Sequence, residues 1–196
     1  LGVLVLVGFI VYATSNLRTS ILAMILVFGT GALGQWTNSM DALALTITAV
    51  TLSLAIGIPL GIWGGLSDRG LKILTPTLDL AQILPTLVYL APLALFFMIG
   101  PASATIATMV YCIPIAIRIT AFGIRGVPKS PVEASVSMGT TKRQLLTKVQ
   151  LPMASRTLIM GVNQTMLAAM SFAVIATLIG APGLGKPVIN ALTIRD

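Results

Sequence analysis

The sequence predicts an all-α polytopic membrane protein, and three observations carry that expectation. Hydrophobic residues make up 56% of the chain and charged residues only 9%, with a mean hydropathy of +1.00. The apolar residues fall into runs, several of them near the roughly 20 residues that a lipid core of about 30 Å requires. The Lys and Arg residues gather in the short polar segments between alternate runs. A soluble domain carries roughly 25% charged residues, and no interior of this size could hide so much apolar surface from water.

Residues 1–39 hold the N-terminal membrane helices. Residues 1–13 make about 20 Å of helix, too short to cross alone, and are expected to be the tail of a truncated span. They have no preceding basic region and no small-residue cleavage site, so they do not read as a signal peptide. After the turn Ser15-Asn16-Leu17-Arg18, residues 21–33 form a second short apolar run. Residues 42–66 form a long span, and residues 79–99 another, with Pro85 and Pro92 inside it and Asp79 at its end. Residues 103–124 follow the tight turn Gly100-Pro101 and contain Pro114. Residues 156–180 are the last complete span, and residues 193–196 are expected to open a C-terminal one. About five membrane helices are thus expected. Prolines within them imply kinks, tolerable where neighbouring helices or cavity water satisfy the freed carbonyls.

Charge sets the sidedness. If Arg69 and Lys72 are cytoplasmic, alternation places every other cation among the 12 Lys and Arg inside except Lys186 and Arg195. That is the positive-inside pattern of a multi-pass bacterial inner-membrane protein. Trp36 at the outer edge and Trp63 near the inner edge fit an aromatic belt. A net charge of +7 could suit nucleic acid, but these cations lie at membrane edges without accompanying aromatic residues, so no nucleic-acid partner is expected.

Several chemistries are excluded by residue type. Histidine is absent and Cys112 is the single cysteine, so an intrachain disulfide is impossible and no metal set is expected. Gly29-Thr30-Gly31-Ala32-Leu33-Gly34 fits a dinucleotide fingerprint by letter only. It closes an apolar run, and Asp41 comes too soon to serve as the ribose acid. Gly180-Ala181-Pro182-Gly183-Leu184-Gly185-Lys186 spells most of a phosphate-binding loop. Pro187 stands where the magnesium-binding hydroxyl belongs, and the segment is on the outer side. Asn163-Gln164-Thr165 spells a glycosylation sequon inside a membrane helix and is discarded. Gly57, Gly61 and Gly65 form a small-residue face for close helix packing.

The longest polar segment, residues 125–155, has internal order. Ser130-Pro131 can cap a short helix through Ala134 and Met138. Gly139 can end or bend it, and Thr140 or Thr141 can cap a second helix. That second helix has Leu145, Leu146 and Val149 on one side and Lys142, Arg143 and Lys148 elsewhere. Pro152 is expected to stop it before the next span. From the residues alone, this could be an amphipathic helix lying on anionic lipid.

Glu133-Ala134-Ser135, then Gly139, then Val149-Gln150-Leu151-Pro152 resembles the EAA loop of ABC importer permeases, whose usual pattern is Glu-Ala-Ala, a later Gly, and Ile-x-Leu-Pro. Ser135 and Val149 are the departures, both small and shape-conserving. Ile83-Leu84-Pro85-Thr86-Leu87-Val88-Tyr89-Leu90-Ala91-Pro92, Gly161-Val162-Asn163-Gln164-Thr165-Met166 and Leu178-Ile179-Gly180-Ala181-Pro182-Gly183-Leu184-Gly185 are similar to the glycine betaine/proline branch for quaternary-amine osmolytes. The resemblance covers residues 40–192, the permease core.

The resemblance implies a type I ABC importer permease fold. It implies a homodimer of permease chains, two cytoplasmic ATP-binding subunits and an external substrate-binding protein. ATP and magnesium would sit on the partner ATPase, with no cofactor and no catalysis on this chain. Glu133 would contact a groove on the ATPase, Ala134 and Ser135 would allow close approach, and Gly139 would give the bend. Leu151 and Pro152 would fix the loop to the following span, which rocks in alternating access.

Thr86, Tyr89, Asn163, Gln164 and Ser171 are polar positions that could line a pathway, although interhelical hydrogen bonding is the commoner role. Gly180, Pro182, Gly183 and Gly185 permit a non-helical outer gate. No carboxylate is expected deep in a span, which argues against a cation-coupled secondary transporter. A permease for another solute (methionine or a sulfonate), a secondary transporter fragment and a membrane assembly factor are the alternatives.

Overall fold

The computed structural model describes residues 11, 13, 16–177 and 180–193, without side-chain surroundings for residues 86, 87 and 193. Apart from residues 11 and 13, the first expected span lies outside the described residues. So do residues 194–196 of the expected C-terminal one. Helices are α1 (Leu17–Ala32), α2 (Trp36–Leu66), α3 (Asp68–Ile83), α4 (Thr86–Phe97), α5 (Pro101–Arg125), α6 (Lys129–Ser137), α7 (Lys142–Leu145), α8 (Leu151–Ala176) and α9 (Gly185–Thr193). A π-helical turn, Leu146–Gln150, joins α7 to α8. No strand occurs among the described residues.

Three of these are long and apolar enough to cross a membrane: α2, α5 and the continuous stretch Lys142–Ala176. A fourth crossing exists if α3 and α4 count together. They do not form the straight span expected over residues 79–99, because the chain bends by 92° between them. Pro85 is the reason. The residue before a proline is pushed out of the helical region, and Leu84 is extended at φ −65°, ψ 126°. Asp79, expected at a helix end, consequently lies inside α3.

The core is α2 against α5, with α8 packed against both. Ser53, Gly57, Gly61 and Gly65 recur every fourth residue of α2, so they share one ridge. A Cβ added to Gly57 would stand 2.5 Å from the Ala116 Cβ, one on Gly61 2.5 Å from the Thr120 Cβ, and one on Gly65 2.7 Å from the Ile124 Cβ. The small-residue face thus serves close backbone approach. Between α5 and α8, Gly123 meets Thr157 and Gly161 of α8 meets Ile119. Buried Thr108 and Thr165 satisfy their hydroxyls on the carbonyls four residues back, both at 2.7 Å. Towards one end Tyr111 stacks on Phe172, with ring centroids 5.4 Å apart, beside buried Leu45, Leu90, Ala104 and Ala176.

Candidate coupling loop and pathway

The cationic end of the bundle is drawn together by Arg125, the last residue of α5. Its Nε and Nη2 donate to the Gly64 carbonyl of α2 at 3.3 and 3.2 Å, and Nη2 reaches Asp68 at the start of α3 at 2.7 Å. A cation on one of the last free carbonyls of a helix satisfies both the orphan acceptor and the helix dipole. Ser67 caps α3 by accepting from the Gly70 N–H at 3.2 Å, and Trp63 packs on Gly70.

The loop hangs from this platform. α6 has no buried residue. Its start differs from the expected cap: Pro128 occupies the N-cap position and Ser130 lies one residue into the helix, capping nothing. At its other end Gly139 adopts φ +81°. The Gly139 N–H donates to the Val136 carbonyl at 2.9 Å and the Thr140 N–H to the Ser135 carbonyl at 3.3 Å, a Schellman cap. Thr140 Oγ1 reinforces it on the same carbonyl at 2.7 Å. Thr141, of the two candidate threonines, then starts α7 through a capping box with Gln144.

Pro152 does not stop this second helix, contrary to expectation. Lys142–Ala176 runs on as one helix, and the π turn just before Pro152 accommodates the proline. Proline has no N–H, and in an α-helix its ring strikes the carbonyl four residues back. The Leu151 N–H donates to Leu146, five residues back, and this extra residue in the turn relieves the clash. Leu151 is half-buried at the junction and Pro152 is exposed.

Glu133 and Ala134 are exposed, and Ser135 is half-buried with its hydroxyl on the Pro131 carbonyl at 2.8 Å. A cavity of about 250 Å³ lies between α6 and the platform, lined by Gly65, Ile124, Arg125, Lys129, Glu133 and Gln150 among others. One side of the loop thus faces the ends of α2 and α5 across this cavity, while α6 packs against α7 and the π turn.

The pathway candidates are not gathered on one surface. Asn163, Gln164 and Ser171 are exposed on α8, opposite its buried face, and Ser171 donates to the Leu167 carbonyl at 3.0 Å. Tyr89 instead packs inward against the aromatic cluster, its buried hydroxyl without a protein partner. Thr86 opens α4, but its side chain falls outside the described residues. At the opposite end of the bundle, Gly180, Pro182, Gly183 and Gly185 do come together in a turn between α8 and α9. Gly180 and Gly183 have φ of +74° and +143°, Gly183 touches Ala42 of α2, and Gly185 leaves no room for a Cβ against Thr177.

One feature escaped sequence reasoning. Arg118, in the second half of α5, is ion-paired through Nη2 with Asp79 of α3. Two opposite charges 39 positions apart inside helices were the available signal. Among the described residues no cluster of His, Cys, Asp or Glu could hold a metal ion.

Comparison with known proteins gives the family and the fold. The chain is 43% identical over 161 residues to the glycine betaine transport system permease protein OpuAB of Bacillus subtilis (strain 168), covering 82% of this chain and 57% of that protein. It is 40% identical over 189 residues to the glycine betaine/proline betaine transport system permease protein ProW of Salmonella typhimurium (strain LT2), covering 96% and 53%. The chain therefore spans little more than half the length of these curated relatives. A solved structure of the MetNI methionine ABC transporter in an inward-facing conformation shares the fold, with TM-score 0.71, 23% identity and 76% of each chain covered. The architecture is that of a type I ABC importer permease. Residues 57–196 match the family described as "Binding-protein-dependent transport system inner membrane component", and with most of its length matched this chain belongs to that family of membrane proteins.

Proposed function

We propose that the chain forms, with a second copy, the membrane pathway of an ATP-driven importer of small quaternary-amine osmolytes such as glycine betaine. ATP hydrolysis, with its magnesium, belongs to two cytoplasmic partner subunits, and an external binding protein delivers the solute. The observation that carries this reading is the geometry of α6, a short helix with no buried residue that packs against α7 and the π turn and faces the ends of α2 and α5 across a cavity. Its exposed Glu133 and Ala134 are free to enter a partner's groove. A push on α6 then reaches the bundle through Gly139 at one end and the Arg125 platform at the other.

Two further features support the reading. The two relatives described above, at 43% and 40% identity, are named as permeases for glycine betaine or for glycine betaine and proline betaine. Exposed Gln164 and Ser171, set seven residues apart on one face of α8, are costly against lipid, and a second copy or a wet pathway would take them. The glycine-rich turn Gly180–Gly185 serves as the outer gate, a reading supported by the positive φ of Gly180 and Gly183.

The test is uptake of labelled glycine betaine, choline and proline into vesicles holding the full-length protein with its ATPase and binding protein. Uptake that needs ATP and exceeds that of methionine or a sulfonate is expected. Uptake driven by an ion gradient without the ATPase would refute the proposal.

A further inference from the structure

Arg118 stands about two helical turns in from the cytoplasmic end of α5, where an unneeded charge is expensive. Its ion pair with Asp79 is not sealed into packing, because the two side chains remain 40% and 48% exposed. The guanidinium is not fully used either, since its Nε is buried without a partner. Beside it opens a cavity of about 310 Å³ between α3 and α5, lined by Thr75, Leu78, Ile117, Arg118 and Phe122 among others. Arg125, at the same cavity, is already engaged by Asp68 and the Gly64 carbonyl, which leaves Arg118 as the guanidinium with donors to offer.

We infer that Asp79, Arg118 and Phe122 form a weak membrane-level site for a small zwitterion bearing a carboxylate and a methylated ammonium. This rests on the proposed import of quaternary-amine osmolytes and names where such a solute is held within the permease itself. The solute carboxylate takes Arg118, replacing or sharing Asp79 in charge-assisted bonds that a guanidinium makes well. Its ammonium faces the Asp79 carboxylate thus released and the ring of Phe122, which attracts cations through its π face. Apolar Leu78 and Ile117 accept the methyl groups. Because one carboxylate is exchanged for another, neither protein charge is left stranded, which is what makes entry and release both cheap. A simple cation lacks the carboxylate and would leave Arg118 competing for Asp79.

The test is direct binding of labelled glycine betaine to the assembled transporter in nanodiscs, with the binding protein removed. Choline serves as the carboxylate-free probe. Weak binding of glycine betaine is expected in the wild type, with choline weaker. Arg118→Gln should weaken glycine betaine binding by about tenfold or more, the scale of one charge-assisted hydrogen bond. Phe122→Leu, an exposed apolar exchange that keeps the helix face, should weaken it several-fold and guards against misfolding of the Arg118 variant. Unchanged binding in both variants overturns the site. Absence of wild-type binding, in a transporter that still imports glycine betaine with ATP and its binding protein, also overturns it and leaves the importer reading standing. Absence of any ATP-dependent glycine betaine uptake removes both.

Discussion

Gly61 and Thr120 are packed so closely that a methyl group has no place between them: a Cβ on Gly61 would lie 2.5 Å from the Thr120 Cβ and 2.8 Å from the Ile117 carbonyl. Backbone cannot yield as a flexible side chain can, so Gly61→Val should lower stability in detergent by about 1–3 kcal/mol, the cost of overpacking. Gly29→Ala, where nothing lies within 4 Å, should leave thermal melting unchanged or slightly raised. Equal melting for the two variants would contradict the α2–α5 contact.

Gly139 is needed for its backbone, not for lack of space. Its φ of +81° belongs to the left-handed region, and no atom lies within 4 Å of an added Cβ. Gly139→Asn should therefore retain most ATP-driven uptake, because Asn tolerates that region, whereas Gly139→Val should abolish it with membrane insertion intact. Vesicle uptake normalised to inserted protein distinguishes the two.

Arg125 holds three elements, but its partners differ in worth. Its pair with Asp68 is solvent-exposed, the Asp68 side chain being 85% accessible, so Asp68→Asn should cost under about 1 kcal/mol. Arg125→Ala also strips the Gly64 carbonyl of its two bonds and should cost about 1.5–3 kcal/mol. Melting of the purified variants checks the order.

Pro152 holds the π turn in place. With Pro152→Ala the missing N–H returns and Leu146–Gln150 can close into ordinary α-helix. One residue of register turns everything before it by about 100° relative to α8. Solute imported per ATP should fall several-fold, as read from parallel uptake and phosphate-release assays. An unchanged ratio would show that the π turn has no part in coupling.

Much of this architecture is legible in the sequence for simple physical reasons. Long apolar runs set α2, α5 and α8, and the four-residue recurrence of Gly57, Gly61 and Gly65 announced a close helix contact. Gly139 reads as the end or bend of a short helix that begins near Ser130-Pro131. What was missed depends on tertiary or local backbone compensation. Pro85 was expected only to kink a span, and nothing local says that a proline will turn the chain by 92°. Pro152 reads as a stop because the widened turn that accommodates it leaves no signature of its own. The Arg118–Asp79 pair was hidden because its partners lie on helices whose packing no periodicity reveals.

The proposed role of α6 is to transmit ATP-driven motion through Glu133. The direct measurement is ATP-dependent uptake of labelled glycine betaine by the full-length Glu133→Lys protein, assembled with its ATPase and binding protein in vesicles. Glu133 is exposed and makes no ion pair among the described residues, so its reversal should leave insertion and folding intact. Uptake near background with a normally inserted permease is the expected result; uptake at the wild-type rate would show that α6 does not couple through Glu133.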